Sequence, residues 1–183
     1  NLKKRKSNYD CLIPVSGGKD STYQVIKILE YGLNPLCVTA STCSLSEIGR
    51  KNIKNLQSIG VDHVEITLNP KIRKKINKLA LKTIGDISWP EHALIFTIPI
   101  HVAIQNDINT IIWGENSQFE YGGPENESEK KILDYNWLQE FGGLNGLRVS
   151  DLEGQENITL KDLYYYTYPD KDLLNKKKIT GHY

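Results

Sequence analysis

Four short strand-like runs, three apolar and the third alternating apolar with polar, are separated by helical segments along this chain, and that order limits what it can fold into more than any other feature. The runs cover residues 10–15, 35–40, 61–68 and 110–113. Between the first two, residues 21–31 set Tyr23, Val25, Ile26 and Leu29 at helical spacing, with Gly32 as the stop. Residues 46–59 have Ser46 to cap their start and Gly60 to end them. Residues 71–84 read as a basic amphipathic helix closed by Gly85, and 93–105 as a mostly apolar helix held in the core. Strands separated by helices pair in parallel through right-handed crossovers. The expected fold is therefore α/β, a parallel sheet with helices on both faces.

After Glu115 the periodicity fades into Gly, Asn and Glu, until a helix expected over 134–141. Beyond Gly142, helices are expected over 160–164 and 170–174, and no clear strand. The organisation expected is a basic lead-in over 1–8, one main α/β unit over 9–152 and a helical extension over 153–183. No methionine occurs, not even at position 1, so the chain is expected to be a stretch of a longer protein.

A parallel sheet holds its ligand beyond the carboxyl ends of its strands. Those ends fall at Ser16-Gly17-Gly18, Thr39-Ala40-Ser41, Leu68-Asn69-Pro70 and Gly114-Glu115-Asn116. The first of them is the most informative. It opens the stretch Ser16-Gly17-Gly18-Lys19-Asp20-Ser21-Thr22, set between the run ending Pro14-Val15 and a helix. Two glycines let a ligand approach the backbone closely. The amides that follow face outward at a helix N-terminus, where an anion is stabilised. Lys19 adds a positive charge, and Ser16, Ser21 and Thr22 add hydroxyls, which together make a phosphate cradle. The spacing is neither Gly-x-x-x-x-Gly-Lys-Ser/Thr nor Gly-x-Gly-x-x-Gly.

Composition removes other classes. A chain of 183 residues with 39% hydrophobic and 25% charged residues is an ordinary globular domain, and a formal net charge of +1 supplies no global field toward nucleic acid or membrane. The basic clusters Lys3-Lys4-Arg5-Lys6 and Lys176-Lys177-Lys178 read as solvated termini. Cys11, Cys37 and Cys43 show no Cys-x-x-Cys spacing, which fits a reducing, cytoplasmic setting and no metal knuckle here. No apolar run reaches membrane-spanning length. His63 and His101 fall in ordinary strand and helix patterns, and His182 carries no signal near the end.

The Ser16–Ser21 loop resembles the SGGxDS pyrophosphate loop of the ATP pyrophosphatase (PP-loop) superfamily, whose fold is adenine nucleotide alpha hydrolase-like. Within that superfamily, three separated stretches resemble the N-acetyl sugar amidotransferases of surface-polysaccharide and flagellin-sugar biosynthesis. They are Tyr9-Asp10-Cys11-Leu12-Ile13-Pro14-Val15 running on through the loop to Val25, Tyr31-Gly32-Leu33-Asn34-Pro35-Leu36-Cys37-Val38-Thr39, and Ile112-Trp113-Gly114-Glu115-Asn116-Ser117-Gln118-Phe119-Glu120-Tyr121-Gly122-Gly123. The resemblance implies that ATP adenylates the acetamido oxygen of a nucleotide-linked sugar and that ammonia then displaces AMP, leaving an acetamidino group. It implies ATP and Mg²⁺ as cofactors, with a separate glutaminase and a cyclase-like subunit supplying the ammonia. Nucleotide would be held by Pro14, Val15, Ser16, Gly17, Gly18, Lys19, Asp20, Ser21, Thr22, Thr39 and Gly114. Lys19, Asp20, Glu115 and Glu120 are the expected catalytic groups, with Asp20 and Glu115 holding Mg²⁺. His92, Asn116, Tyr121, Gly122 and Gly123 are expected on the sugar. Such relatives also carry paired cysteines in an N-terminal zinc knuckle; none occurs here, so zinc is expected only in a preceding segment.

Two other classes compete. A tRNA-modifying PP-loop enzyme, of sulfur-transfer or lysidine type, calls for a reactive cysteine pair and a broad basic face, and Cys43 is the cysteine nearest the rim. A nucleotide-binding sensor of universal-stress type needs no pyrophosphate cradle.

Overall fold

In the computed structural model, residues 7–41, 45–114, 132–133 and 145–182 are described. Strands β1 (Cys11–Pro14), β2 (Pro35–Ser41), β3 (Asp62–Thr67) and β4 (Thr110–Ile112) alternate with helices α1 (Lys19–Glu30), α2 (Glu47–Ser58), α3 (Pro70–Ile84) and α4 (Trp89–Gln105). The later elements are β5 (Ile132–Leu133), short helices α5 (Leu160–Leu163) and α6 (Lys171–Lys177), and β6 (Thr180–His182), with single 3-10 turns between. The six strands form one sheet in the order β3-β2-β1-β4-β6-β5. The five from β3 to β6 run parallel, and β5 alone is antiparallel, against β6.

Alternation along the strands divides the core. Cys11, Ile13 and Cys37 face Val25 of α1 and Leu56 of α2 on one side. Leu12, Leu36, Val38 and Ile111 face Ile76 of α3 and Leu94, Phe96 and Ile98 of α4 on the other. Helices therefore cover both faces, as expected for parallel strands buried on both sides. Because α1 and α2 link β1 to β3 outward, while α3 and α4 return the chain to β4 on the far side of β1, the direction of winding reverses between β1 and β4. A ligand crevice opens at such a reversal, outside the carboxyl ends of the two strands.

Gly32, Gly60 and Gly85 close their helices in the left-handed region as the sequence implies. Three boundaries differ. Helix α1 starts at Lys19 rather than Ser21, because Gly18 takes the extended N-cap geometry (φ −80°, ψ 170°). Helix α4 starts at Trp89 rather than Ala93, with Pro90 in its first turn, where a missing N–H removes no helical bond. The third is a correction: the segment after Gly142 is not free of strands. β6 pairs with β4 through Thr110–Thr180, Ile111–Gly181 and Ile112–His182. His182, which carried no signal in the sequence, also accepts a bond at its carbonyl from the Trp113 amide at 2.7 Å. Thr-Gly-His has no apolar alternation to betray it; its pairing comes from the neighbouring strand. Ile158, Leu163, Tyr166, Tyr168 and Leu174 of the expected extension belong to the same buried cluster as α4. Lys177 pairs with Asp107 instead of lying in a purely solvated cluster. The helix expected over 134–141 lies outside the described residues.

Candidate functional site

The loop after β1 is held from below and from the side. From below, the Val15 amide donates to the Val38 carbonyl at 2.8 Å, and the Val15 carbonyl accepts from the Thr39 hydroxyl at 2.7 Å. Thr39 is buried, and its oxygen also lies 2.8 Å from His63 Nε2. Since the Thr39 proton goes to Val15, His63 donates from Nε2, and its Nδ1 faces the Gln57 side-chain amide at 3.5 Å. The chain of bonds runs Gln57, His63, Thr39, Val15, from α2 across β3 and β2 to the end of β1. Burial lowers the His63 pKa, against a smaller opposing pull from Glu65. On the same rim, burial works against the Glu65 carboxylate, but bonds from Ser41 and Arg50 outweigh it and hold its pKa down.

From the side, α2 packs on Gly17. Asn52 Nδ2 donates to the Gly17 carbonyl at 2.8 Å. Gly17 has φ +78°, and a Cβ there would lie 2.9 Å from the Gly49 carbonyl, 3.4 Å from Ile53 and 3.6 Å from Asn52. Only glycine fits, by conformation and by space.

Gly18 is the N-cap of α1 and brings no side-chain cap to its first turn. The hydroxyls of Ser21 and Thr22, expected to face a ligand, bond the Gly18 carbonyl at 3.3 and 2.8 Å, and the Gly18 amide lies 3.3 Å from Ser16 Oγ. The anion-attracting groups of the loop are therefore the first-turn amides and Lys19. Lys19 Nζ lies 2.8 and 3.1 Å from the two Asp20 oxygens, with the side chains 88% and 55% exposed. Asp20 sits in the first turn of α1, where its charge suits the helix dipole, and does not cap the helix. Pro14 ends β1. Gly114, after β4, faces the same turn: a Cβ there would lie 3.6 Å from the Ser21 nitrogen. Gln24, in the second turn of α1, ties the strand in by donating to the Trp113 carbonyl at 2.6 Å. The crevice between β1 and β4 is thus walled by Ser16–Ser21 and Gly114.

His92, near the start of α4, lies 3.6 Å from the Asp86 carboxylate (Nδ1 to Oδ2). Glu115, Asn116, Glu120, Tyr121, Gly122, Gly123 and Cys43 lie outside the described residues. Among the described residues no three His, Cys, Asp or Glu side chains converge as a metal site, and no helix is long and apolar enough to cross a membrane. The buried thiols of Cys11 and Cys37 are pushed up by burial to about 11 and about 12, the opposite of a reactive pair.

Three supports were not singled out in the sequence. Asn52, His63 and Gln24 act through contacts 35, 24 and 89 residues away. The one local hint is that Gly49, Asn52 and Ile53 share a helix face.

No family model matches the chain, and no curated protein is significantly similar to it. Among solved structures, the chain is similar to one described as a predicted subunit of tRNA methyltransferase from Methanocaldococcus jannaschii, with 19% identity over 92% of this chain and 73% of that one, at a TM-score of 0.43. It is also similar to NMN synthetase from Francisella tularensis, with 13% identity over 93% and 84% of the two chains, at a TM-score of 0.47. At these values the likenesses carry no argument, and the α/β architecture rests on the strand order itself.

Proposed function

We propose that this chain is the nucleotide-binding part of a PP-loop ATP pyrophosphatase, and within that superfamily an ATP-dependent amidotransferase acting on the acetamido group of a nucleotide-linked N-acetyl sugar. One observation supports the first statement above all. A glycine-capped helix start with no side-chain cap, preceded by a glycine at φ +78°, stands at the point where the sheet reverses direction. The second statement rests on the three stretches quoted above.

In this reading the first-turn amides of α1 and Lys19 hold the β and γ phosphates and take up charge as pyrophosphate departs. Mg²⁺ would neutralise phosphate oxygens, and Asp20 fits it, since this ion is commonly held by one or two carboxylates with phosphate and water. The acetamido oxygen attacks the α phosphorus, and the bond to pyrophosphate breaks. An amide oxygen is a poor leaving group, and adenylation makes it a good one. Ammonia then forms the new C–N bond, the C–O bond breaks with its electrons on AMP, and one proton is released. Glu115 and Glu120 would orient the incoming amine, and His92, Asn116, Tyr121, Gly122 and Gly123 the sugar. Ammonia would come from a glutaminase with its cyclase-like companion. The raised thiol pKa values of Cys11 and Cys37 speak against the sulfur-transfer reading.

The test incubates the complete protein with ATP, Mg²⁺, ammonium chloride and a panel of nucleotide-linked N-acetyl sugars. Mass spectrometry should find an acceptor in which oxygen is replaced by NH. AMP release with tRNA and with none of the sugars would replace this reading by the tRNA-modifying one.

A further inference from the structure

The crevice between β1 and β4 has a second wall. Helix α1 packs on the face of the sheet that carries Cys11 and Ile13, and α4 on the face that carries Leu12 and Ile111. The Phe96 ring of α4 meets the ring of Trp113, just past the carboxyl end of β4, with centroids 5.4 Å apart. At the far end of the helix, the Ile108 amide donates to the Ala103 carbonyl at 2.9 Å as the chain turns back to begin β4. Helix α4 therefore runs against the strands, and its first turn stands at their carboxyl edge. His92 lies one turn before Phe96 on the same helix face, about 6 Å further toward that edge. The first turns of α1 and α4 thus approach one rim from opposite faces, with Lys19 and Asp20 on one and His92 on the other.

The turn before α4 fixes a carboxylate beside His92. Asp86 Oδ1 accepts from the Ser88 amide at 2.7 Å, and Asp86 Oδ2 lies 3.6 Å from His92 Nδ1. Asn77 of α3 pins the same turn, its Nδ2 donating to the Ile87 carbonyl at 2.5 Å and to Glu91 Oε2 at 2.8 Å. The other ionisable groups around this turn are Glu91, which lies 3.7 Å from Arg73 of α3, and the Tyr166 phenol, which senses both charges and is pushed up by burial. The His92 and Asp86 side chains are 33% and 20% exposed, so the pair is mostly covered yet reaches the surface.

We infer that His92 is the general base of the amine-transfer step, with Asp86 as its positioning residue. This rests on the amidotransferase reading and gives His92 a task beyond holding the sugar. A carboxylate beside Nδ1 favours the tautomer with its proton there, so that Nε2 carries the lone pair. The 3.6 Å separation is longer than a hydrogen bond, and such pairs commonly tighten only when substrate is in place. The lone pair of ammonia forms the C–N bond, and His92 Nε2 takes one N–H proton. A nitrogen that kept this proton would itself be a good leaving group, so its removal commits the intermediate to lose AMP. The C–O bond then breaks with its electrons on AMP, and the imidazolium, paired with Asp86, gives its proton to solvent.

The experiment separates the two half-reactions of the complete protein, using ATP, Mg²⁺ and whichever nucleotide-linked N-acetyl sugar of the panel works best. Exchange of labelled pyrophosphate into ATP without ammonium reads adenylation, and acetamidino product with ammonium reads amine transfer. In His92→Gln, exchange and the sugar KM should stay within about twofold, while product formation at saturating ammonium falls at least a hundredfold, the usual scale of a lost general base. Imidazole added to His92→Ala should restore part of that loss, which a structural role would not allow. Asp86→Asn, which keeps an acceptor for the Ser88 amide, should lower kcat and leave the sugar KM within about twofold. A raised sugar KM in His92→Gln with product formation at saturation unchanged would make His92 a binding contact only. Loss of exchange together with amine transfer would make it a residue of the ATP site or of the fold. Either result overturns the assignment and leaves the amidotransferase reading standing. If no sugar supports AMP release from the unaltered protein, that reading itself falls and the assignment goes with it.

Discussion

Asn52 donates a hydrogen bond to the main-chain carbonyl of Gly17 at 2.8 Å, so a helix residue 35 positions along the chain holds the first glycine of the loop after β1 in place. Asn52→Ala leaves that carbonyl unpaired and should cost about 1–2 kcal/mol. Gly17→Ala should cost more, since it adds the strain of a left-handed conformation to a 2.9 Å clash with the Gly49 backbone. Chemical denaturation checks both. Titration with ATP should show affinity falling in the same order.

Lys19 and Asp20 should behave in the opposite way. An exposed pair of adjacent residues contributes little to stability. Lys19→Ala and Asp20→Ala should therefore melt within a few degrees of the unaltered protein while losing AMP formation at least a hundredfold, the scale of losing one electrostatic contact to developing charge. Near-normal turnover in both would return the loop to a structural role.

How much of this was legible is best seen residue by residue. Gly32, Gly60 and Gly85 announced their helix ends, because a left-handed C-terminal residue is a local requirement that glycine meets alone. β1 and β2 were legible as buried apolar runs and β4 as a short apolar one, while β3, with none of its six residues buried, was legible through its alternation. β6 was not, because Thr180–His182 is a strand only by virtue of its neighbour β4. The loop's place between β1 and α1 was legible, but the turning inward of Ser21 and Thr22 onto Gly18 was not, since it depends on where the helix begins. The braces Gln57–His63–Thr39 and Asn52–Gly17 join residues that share no sequence pattern and meet only through tertiary folding.

The His63 brace makes stability depend on pH. Burial lowers the pKa of both His63 and His101 in the folded state. The unfolded chain therefore binds more protons, and stability rises with pH where histidine titrates. The contribution is fully present above the ordinary histidine value of about 6.5 and is lost as pH falls below it. Protonated His63 would also turn an N–H toward the Gln57 amide. Thermal melts between neutral pH and mild acid should show a falling midpoint, and His63→Gln should make the fall shallower. An unchanged slope in that variant would remove His63 from the account.

Cys11 and Cys37 should resist alkylation in the folded protein, since burial pushes their thiols up to about 11 and about 12. Iodoacetamide at mildly alkaline pH followed by peptide mapping should find both unmodified until denaturant is added. Cys43→Ser should leave turnover intact; a persulfide trapped on Cys43 together with lost activity would favour sulfur transfer.

The central claim is that the Ser16–Thr22 cradle serves cleavage between the α and β phosphates, and the direct measurement is the fate of labelled ATP. With label on the γ phosphate, the complete protein with Mg²⁺, ammonium and its acceptor should release labelled pyrophosphate, and with label on the α phosphate, labelled AMP. Labelled orthophosphate from the first and labelled ADP from the second would contradict the account at its root.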